Sequence, residues 1–206
     1  MKKVASLIGF GSLAAVAVAF VFSVITHLTV IGTPFDAMKN NVGAGIVSLI
    51  SWIAGFAVAV ILIIFCAFEI FKLIPVFSGK EVEDKSLVHA NTVAIFAHGL
   101  YIVNFLLTLL MFAILKVNAN IGAQGVFCLI FSIVGLLAGL ASAFMKDKLG
   151  TLIVLVCSLV AVFFELVLTF MGMGGGLVLV ANIFLVIGLF GLVAYIVVAN
   201  LDGFKK

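Results

Sequence analysis

Few side chains in this sequence could do chemistry, and nearly all of those sit inside long apolar runs. Glu165 lies in Phe163-Phe164-Glu165-Leu166-Val167, with no basic residue near it in its run. Glu69 lies in Ala67-Phe68-Glu69-Ile70-Phe71, with Lys72 three residues on. His98 and Asn104 share a third run, and His27 stands near the end of the first. In a hydrocarbon solvent an ionisable side chain is costly, and by default it marks a substrate or proton pathway. Desolvation favours the neutral form of a carboxyl, and a carboxyl that gains and loses a proton at depth couples proton movement to transport. Glu165 is the sharpest candidate for that chemistry, with His27 expected on the same side. The competing reading of Glu165 is a hydrogen-bonded tie between helices. Glu69 has a local explanation, because Lys72 at i+3 can pair with it and long side chains near a helix end reach the interface. His98 is expected either to line the pathway or to hydrogen-bond between helices, and His89 is expected at the membrane surface.

Other chemistries lack their signatures. No Gly-x-x-x-x-Gly-Lys-Ser/Thr loop, His-Glu-x-x-His pair or Gly-x-Ser-x-Gly elbow occurs. Gly172-Met173-Gly174-Gly175-Gly176 is glycine-rich but falls at an expected hairpin, where a phosphate cradle has no strand to follow. Cys66, Cys128 and Cys157 are odd in number, and their spacing matches no zinc motif or disulfide framework; they are expected to pack as small apolar groups. The eleven basic residues are all lysine and form no stripe, which argues against nucleic acid. With no arginine, bidentate recognition of phosphate or carboxylate by a guanidinium is excluded. No catalytic residue, cofactor or metal is expected, and the chain is not read as an enzyme.

The elements that must position these residues follow from composition. Of 206 residues, 66% are hydrophobic and 9% charged, whereas soluble domains run at about 45–50% apolar and about 25% charged. Too few polar side chains are present to cover a water-facing exterior, which leaves lipid as the solvent. A helix crosses the bilayer core with about 20 apolar residues, and six such runs are present: 4–31, 44–74, 89–115, 121–145, 149–170 and 176–200. Gly32-Thr33-Pro34, Asn40-Asn41, Pro75 with the charged stretch 80–85, the turn 118–122, Lys146-Asp147-Lys148 and Gly174-Gly175-Gly176 separate them. At 146–148 a continuous span would hold three charges in hydrocarbon at about 2.5–3.5 kcal/mol each, so a tight hairpin is expected. Met1-Lys2-Lys3 and Ala17-Val18-Ala19 also fit a cleaved signal peptide, but the apolar run continues to Ile25, longer than such a segment needs. The predicted fold is an all-α membrane protein, a single polytopic bundle of six transmembrane helices over 1–206.

Lysine placement predicts the orientation. With the N-terminus and C-terminus cytoplasmic, Lys2, Lys3, Lys72, Lys80, Lys85, Lys146, Lys148, Lys205 and Lys206 lie inside, and Lys39 and Lys116 lie outside. That nine-to-two split obeys the positive-inside bias and requires an even number of spans. The expected location is the cell membrane, as a multi-pass protein of a bacterial cytoplasmic membrane, so lipid is one partner.

Helical spacing then groups the polar residues. Asn91, His98, Tyr101, Asn104 and Thr108 share one face of the third span. Ser158, Glu165, Thr169 and Gly172 form a stripe on the fifth, and Ser48, Ser51, Gly55, Cys66 and Glu69 form one on the second. These faces are expected to meet inside the bundle. Ala15-x-x-x-Ala19-x-x-x-Ser23 and Gly135-x-x-x-Gly139-x-x-x-Ala143 are close-approach seams, for packing within the bundle or against a membrane protein partner or second copy. The compact six-helix plan with the Ala15–Ala19 seam resembles the substrate-capture components of energy-coupling-factor importers. The likeness is architectural and covers no diagnostic binding motif. It implies a membrane subunit that binds a small substrate. Two functions are expected from these features: a small transporter or its membrane substrate-binding subunit, or else a non-catalytic structural or assembly subunit of a membrane complex.

Overall fold

The structure, a computed structural model, describes residues 2–80, 82–116, 122–173 and 175–200. Lys205, Lys206, Glu81, Gly174 and residues 118–121 of the expected turns and tails lie outside the described residues. Among the described residues there is no strand, and six helices are long and apolar enough to cross a membrane. They are α1 (Lys2–Thr29), α3 (Val42–Leu73), α4 (Ser86–Leu115), α5 (Ala123–Met145), α6 (Lys148–Leu168) and α7 (Gly176–Ala199), with a short α2 (Thr33–Asn40) between the first two. The shortest, α6, has 21 residues, about 32 Å at 1.5 Å per residue, against a hydrocarbon core of about 30 Å.

The expected boundaries hold to within a few residues except at three places. Gly32-Thr33-Pro34 breaks α1 as expected, but the segment to Asn40 coils into α2 rather than a loop. Pro34 stands in its first turn, where a missing N–H costs nothing, and Lys39 Nζ binds Asp36 Oδ1 at 2.8 Å one turn on. Asn41 then caps α3, its Oδ1 accepting from Ala44 N at 3.0 Å. At the second place α4 starts one turn before the expected 89, with Asp84 Oδ1 accepting from Ser86 N at 3.0 Å. At the third, α6 ends in a wider π turn over Thr169–Met173. The 146–148 hairpin forms as expected. Lys146 turns at φ 50°, and Asp147 caps α6 by accepting from Leu149 N at 3.1 Å and Gly150 N at 3.2 Å.

Side-chain pairings establish the up-and-down order. At one end Phe10 of α1 meets Phe77, beyond α3, with ring centroids 5.1 Å apart. There Glu69 of α3 meets His89 of α4, and Asn91 of α4 meets Ser142 of α5. At the other end Trp52 Nε1 of α3 donates to His27 O of α1 at 2.7 Å, and Phe22 of α1 stacks on Phe184 of α7. The helices form a ring in the order α1, α3, α4, α5, α6, α7, and α4 also reaches across it to α6 and α7. The core includes Leu13, Val16, Leu62, Val93, Leu155 and Leu192. Its outside is apolar too: Phe144, Phe170 and Phe190 are 87%, 71% and 69% exposed. An exterior of that kind matches lipid rather than water.

Gly135 and Gly139 of the α5 seam are internal, while its third member, Ala143, is exposed. A Cβ on Gly135 would strike the His98 ring of α4, and one on Gly139 would lie 2.9 Å from Ile95 Cγ1 and 3.3 Å from Val154 Cγ2. α5 therefore lies flush on α4 and α6 through its two glycines. Ala19 is buried, and Ala15 and Ser23 are half-buried. The tightest approach of α1 is elsewhere, where Ser12 and Val16 pack on Gly188 and Gly191 of α7, a pair not expected from sequence as a seam. Gly188 and Gly135 occupy matching places in the similar strings Ile183-Phe184 to Leu189 and Ile130-Phe131 to Leu136, of a kind that apolar low-complexity sequence also yields by chance.

Candidate functional site

Four helices line a half-open cavity of about 190 Å³. From α1 it takes Ala19, Phe20, Ser23 and Thr26, and from α4 His98, Tyr101 and Asn104. α6 supplies Ser158, Val162 and Glu165, and α7 supplies Val178, Asn182 and Leu185. Three of the five pathway candidates, Glu165, His98 and Asn104, thus border one space, as do Ala19 and Ser23 of the α1 seam. Small side chains on α1 leave the room that the cavity occupies.

His98 forms the floor and is held in place. Ser158 Oγ donates to its own helix at Val154 O (2.9 Å), which leaves its lone pair for His98 Nε2–H at 2.7 Å. The tautomer with the proton on Nε2 follows from that chain. Gly135 gives the ring its place on the opposite side. His98 is 2% exposed, so it acts chiefly as a positioned wall.

Glu165 is in a different state. It is half-buried and borders the cavity, and among the described residues no side-chain or backbone donor binds its carboxyl within 3.5 Å. Its backbone carbonyl accepts from Thr169, from Oγ1 at 2.8 Å and from the backbone N–H. Among the described residues no lysine lines the cavity. Asn182 is 8% exposed, and its amide likewise has no partner among the described residues. Sequence reasoning missed Asn182. Its signal was a lone amide in Val180-Ala181-Asn182-Ile183, the same kind of signal that marked Asn104.

Asn104 stands between this cavity and a second of about 350 Å³, lined by His27, Thr33, Pro34, Ser48, Ser51, Trp52 and Thr108 among others. Ser51 Oγ donates to Asn104 Oδ1 at 2.9 Å and so ties α3 to α4 at the shared wall. His27 lies at the same end as Glu165 but in this neighbouring space. Its Nδ1–H donates to Ser23 O at 2.7 Å, and Gly55 makes room for its ring. Of the expected polar faces, Ser51 therefore meets Asn104, Ser48 lines the space beside them, and His98 meets Ser158.

Glu69 belongs to neither space. Lys72 Nζ binds its Oε1 at 2.6 Å, as the i+3 spacing predicts, and His89 Nε2–H donates to its Oε2 at 2.9 Å. His89 is not at a surface: it is 1% exposed, wedged between Phe65 and Tyr195. The earlier start of α4 explains the difference, because it places His89 one turn inside the helix. The three cysteines are buried and free, and among the described residues no cluster of His, Cys, Asp or Glu could hold a metal. Comparisons with protein-family models, curated proteins and solved structures give no match to this chain.

Proposed function

We propose that the chain is a multi-pass protein of a bacterial cytoplasmic membrane, with both ends in the cytoplasm, that works as a small transporter or as the substrate-binding membrane subunit of one. The observation that carries this reading is Glu165: a carboxyl with no hydrogen-bond partner among the described residues, bordering a cavity between α1, α4, α6 and α7. A purely structural glutamate in an apolar helix needs a partner, because an unsatisfied buried polar group is costly. A glutamate that faces a space can instead take its partner from a substrate or exchange a proton there. Asn104 and Asn182 offer further polar contacts, while Phe20, Val162 and Leu185 supply apolar wall, the mixture typical of small-molecule sites.

The assembly-subunit reading draws less support, since Gly135 and Gly139 of the α5 seam are used within the bundle. The test is proton flux in liposomes carrying the purified protein, under an imposed pH gradient. Glu165→Gln abolishes the flux at unchanged expression and reconstitution. A variant that conducts like the parent removes Glu165 from the mechanism. If the variant is tolerated while Gly139→Leu breaks association with a partner, the assembly reading replaces this one. A mild-detergent pull-down separates the two forms of the proposal: stoichiometric membrane partners make the chain a subunit, and recovery alone makes it autonomous.

A further inference from the structure

The chemistry of the cavity also selects what enters it. Among the described residues its lining contains one acidic group, Glu165, and no lysine. The histidine on its floor has its Nε2–H already committed to Ser158. An anionic ligand would thus find no cation to pair with, and Glu165, once ionised, would repel it. A cation would meet the one group able to neutralise it, in a place where an uncompensated charge cannot stay.

Two further features point the same way. Phe20 and Tyr101 border the same space, and aromatic rings attract organic cations through their negative faces. The Asn182 amide, nine-tenths buried and unpartnered among the described residues, leaves its carbonyl to accept from an ammonium N–H. Asn104 commits its Oδ1 to Ser51. An enclosed apolar cavity of about 150 Å³ accepts benzene, so this half-open space of about 190 Å³ has room for one six-membered ring with a short arm. The ring would occupy the apolar wall of Val162, Leu185 and Phe20, with the arm directed to Glu165.

We infer that the cavity between α1, α4, α6 and α7 binds a small primary amine with a single-ring apolar body, its ammonium paired with Glu165 and hydrogen-bonded by Asn182. This rests on the proposed reading of the cavity as a ligand site. If Glu165 is neutral when the site is empty, the pairing releases one proton for each ammonium bound, Glu–COOH and R–NH₃⁺ giving the ion pair and H⁺.

The experiment is equilibrium binding to the purified full chain in detergent, with 2-phenylethylamine, its neutral counterpart 2-phenylethanol and the anion phenylacetate as probes. The amine is expected to bind at least ten-fold more tightly than the alcohol, and phenylacetate not to bind. Glu165→Gln is expected to reduce amine affinity at least ten-fold and to leave the alcohol unchanged. Equal affinity of amine and alcohol, or tighter binding of phenylacetate, overturns the amine assignment and keeps the ligand site. Binding of the amine to Glu165→Gln at the parent's affinity removes the pairing with Glu165. Failure of all three probes to bind the parent protein overturns the assignment altogether, and the flux assay above then decides whether Glu165 carries protons alone.

Discussion

Two glutamates stand in apolar helices of this chain, and their surroundings separate them. Glu69 is satisfied twice, by a lysine on its own helix and by a histidine of the next. Such a carboxylate holds α3 to α4, with both oxygens engaged by the protein's own donors. Glu165 has the capacity for a ligand and, among the described residues, no tie. The contrast carries a prediction about stability. Glu69→Ala leaves the buried His89 Nε2–H without its acceptor and should cost about 1–3 kcal/mol, the range for hydrogen bonds with a charged partner or an unsatisfied buried group. Lys72→Ala removes a side chain that is 43% exposed and should cost less than about 1 kcal/mol. Reversible unfolding in mixed micelles measures both. Equal losses would mean that the lysine, not the histidine, carries the contact.

At the scale of elements, glycine sets how closely helices approach. α5 lies on α4 because Gly135 and Gly139 have no side chain where His98 and Ile95 sit. Gly135→Ala therefore pushes against a ring already fixed by Ser158, and should lower stability by about 1–3 kcal/mol, as overpacking does. Gly99→Ala is the control on the neighbouring helix. Its Cβ would meet nothing within 4 Å, so it should be neutral or stabilising by up to about 1 kcal/mol through helix propensity. The same unfolding assay reads both, and a tolerated Gly135→Ala would show that α5 shifts freely. α4 is the element on which the arrangement turns. It supplies His98 to the floor of the first cavity and Asn104 to the wall between the two, and it reaches α3, α5, α6 and α7.

Across the whole molecule the polar groups fall into two layers. Glu69, His89, Asn91, Ser142 and Thr151 lie toward the end that carries the 79–85 loop. The cavities, with Glu165, Asn104, Asn182 and His27, lie toward the end that carries α2. On the proposed orientation the cavities belong to the extracytoplasmic half, where a ligand captured from outside would first arrive. Accessibility labelling checks that orientation. Lys39, Lys80 and Lys116 are all exposed, and the native cysteines are all buried. Lys39→Cys and Lys116→Cys should react with a membrane-impermeant maleimide in intact cells, and Lys80→Cys only after lysis. The reverse pattern inverts the topology, and reaction of all three from one side refutes six spans.

Much of this architecture was legible in sequence for a physical reason. Hydrocarbon thickness and the cost of burying charge act on each run separately, so the six helices and the 146–148 hairpin can be read one at a time. Pairs close in sequence were equally readable, such as Glu69 with Lys72. The neighbours of each helix were not. A helix that is apolar all round has no stripe to say which face turns inward, and α7 is of that kind, which is why the packing of Gly188 and Gly191 on α1 went unseen. Nor could spacing within a run place Glu165 and His27 in separate spaces or bring His89 into the interior. Those outcomes depend on which helices touch, and at what depth, a matter of fit between surfaces that only the folded bundle decides.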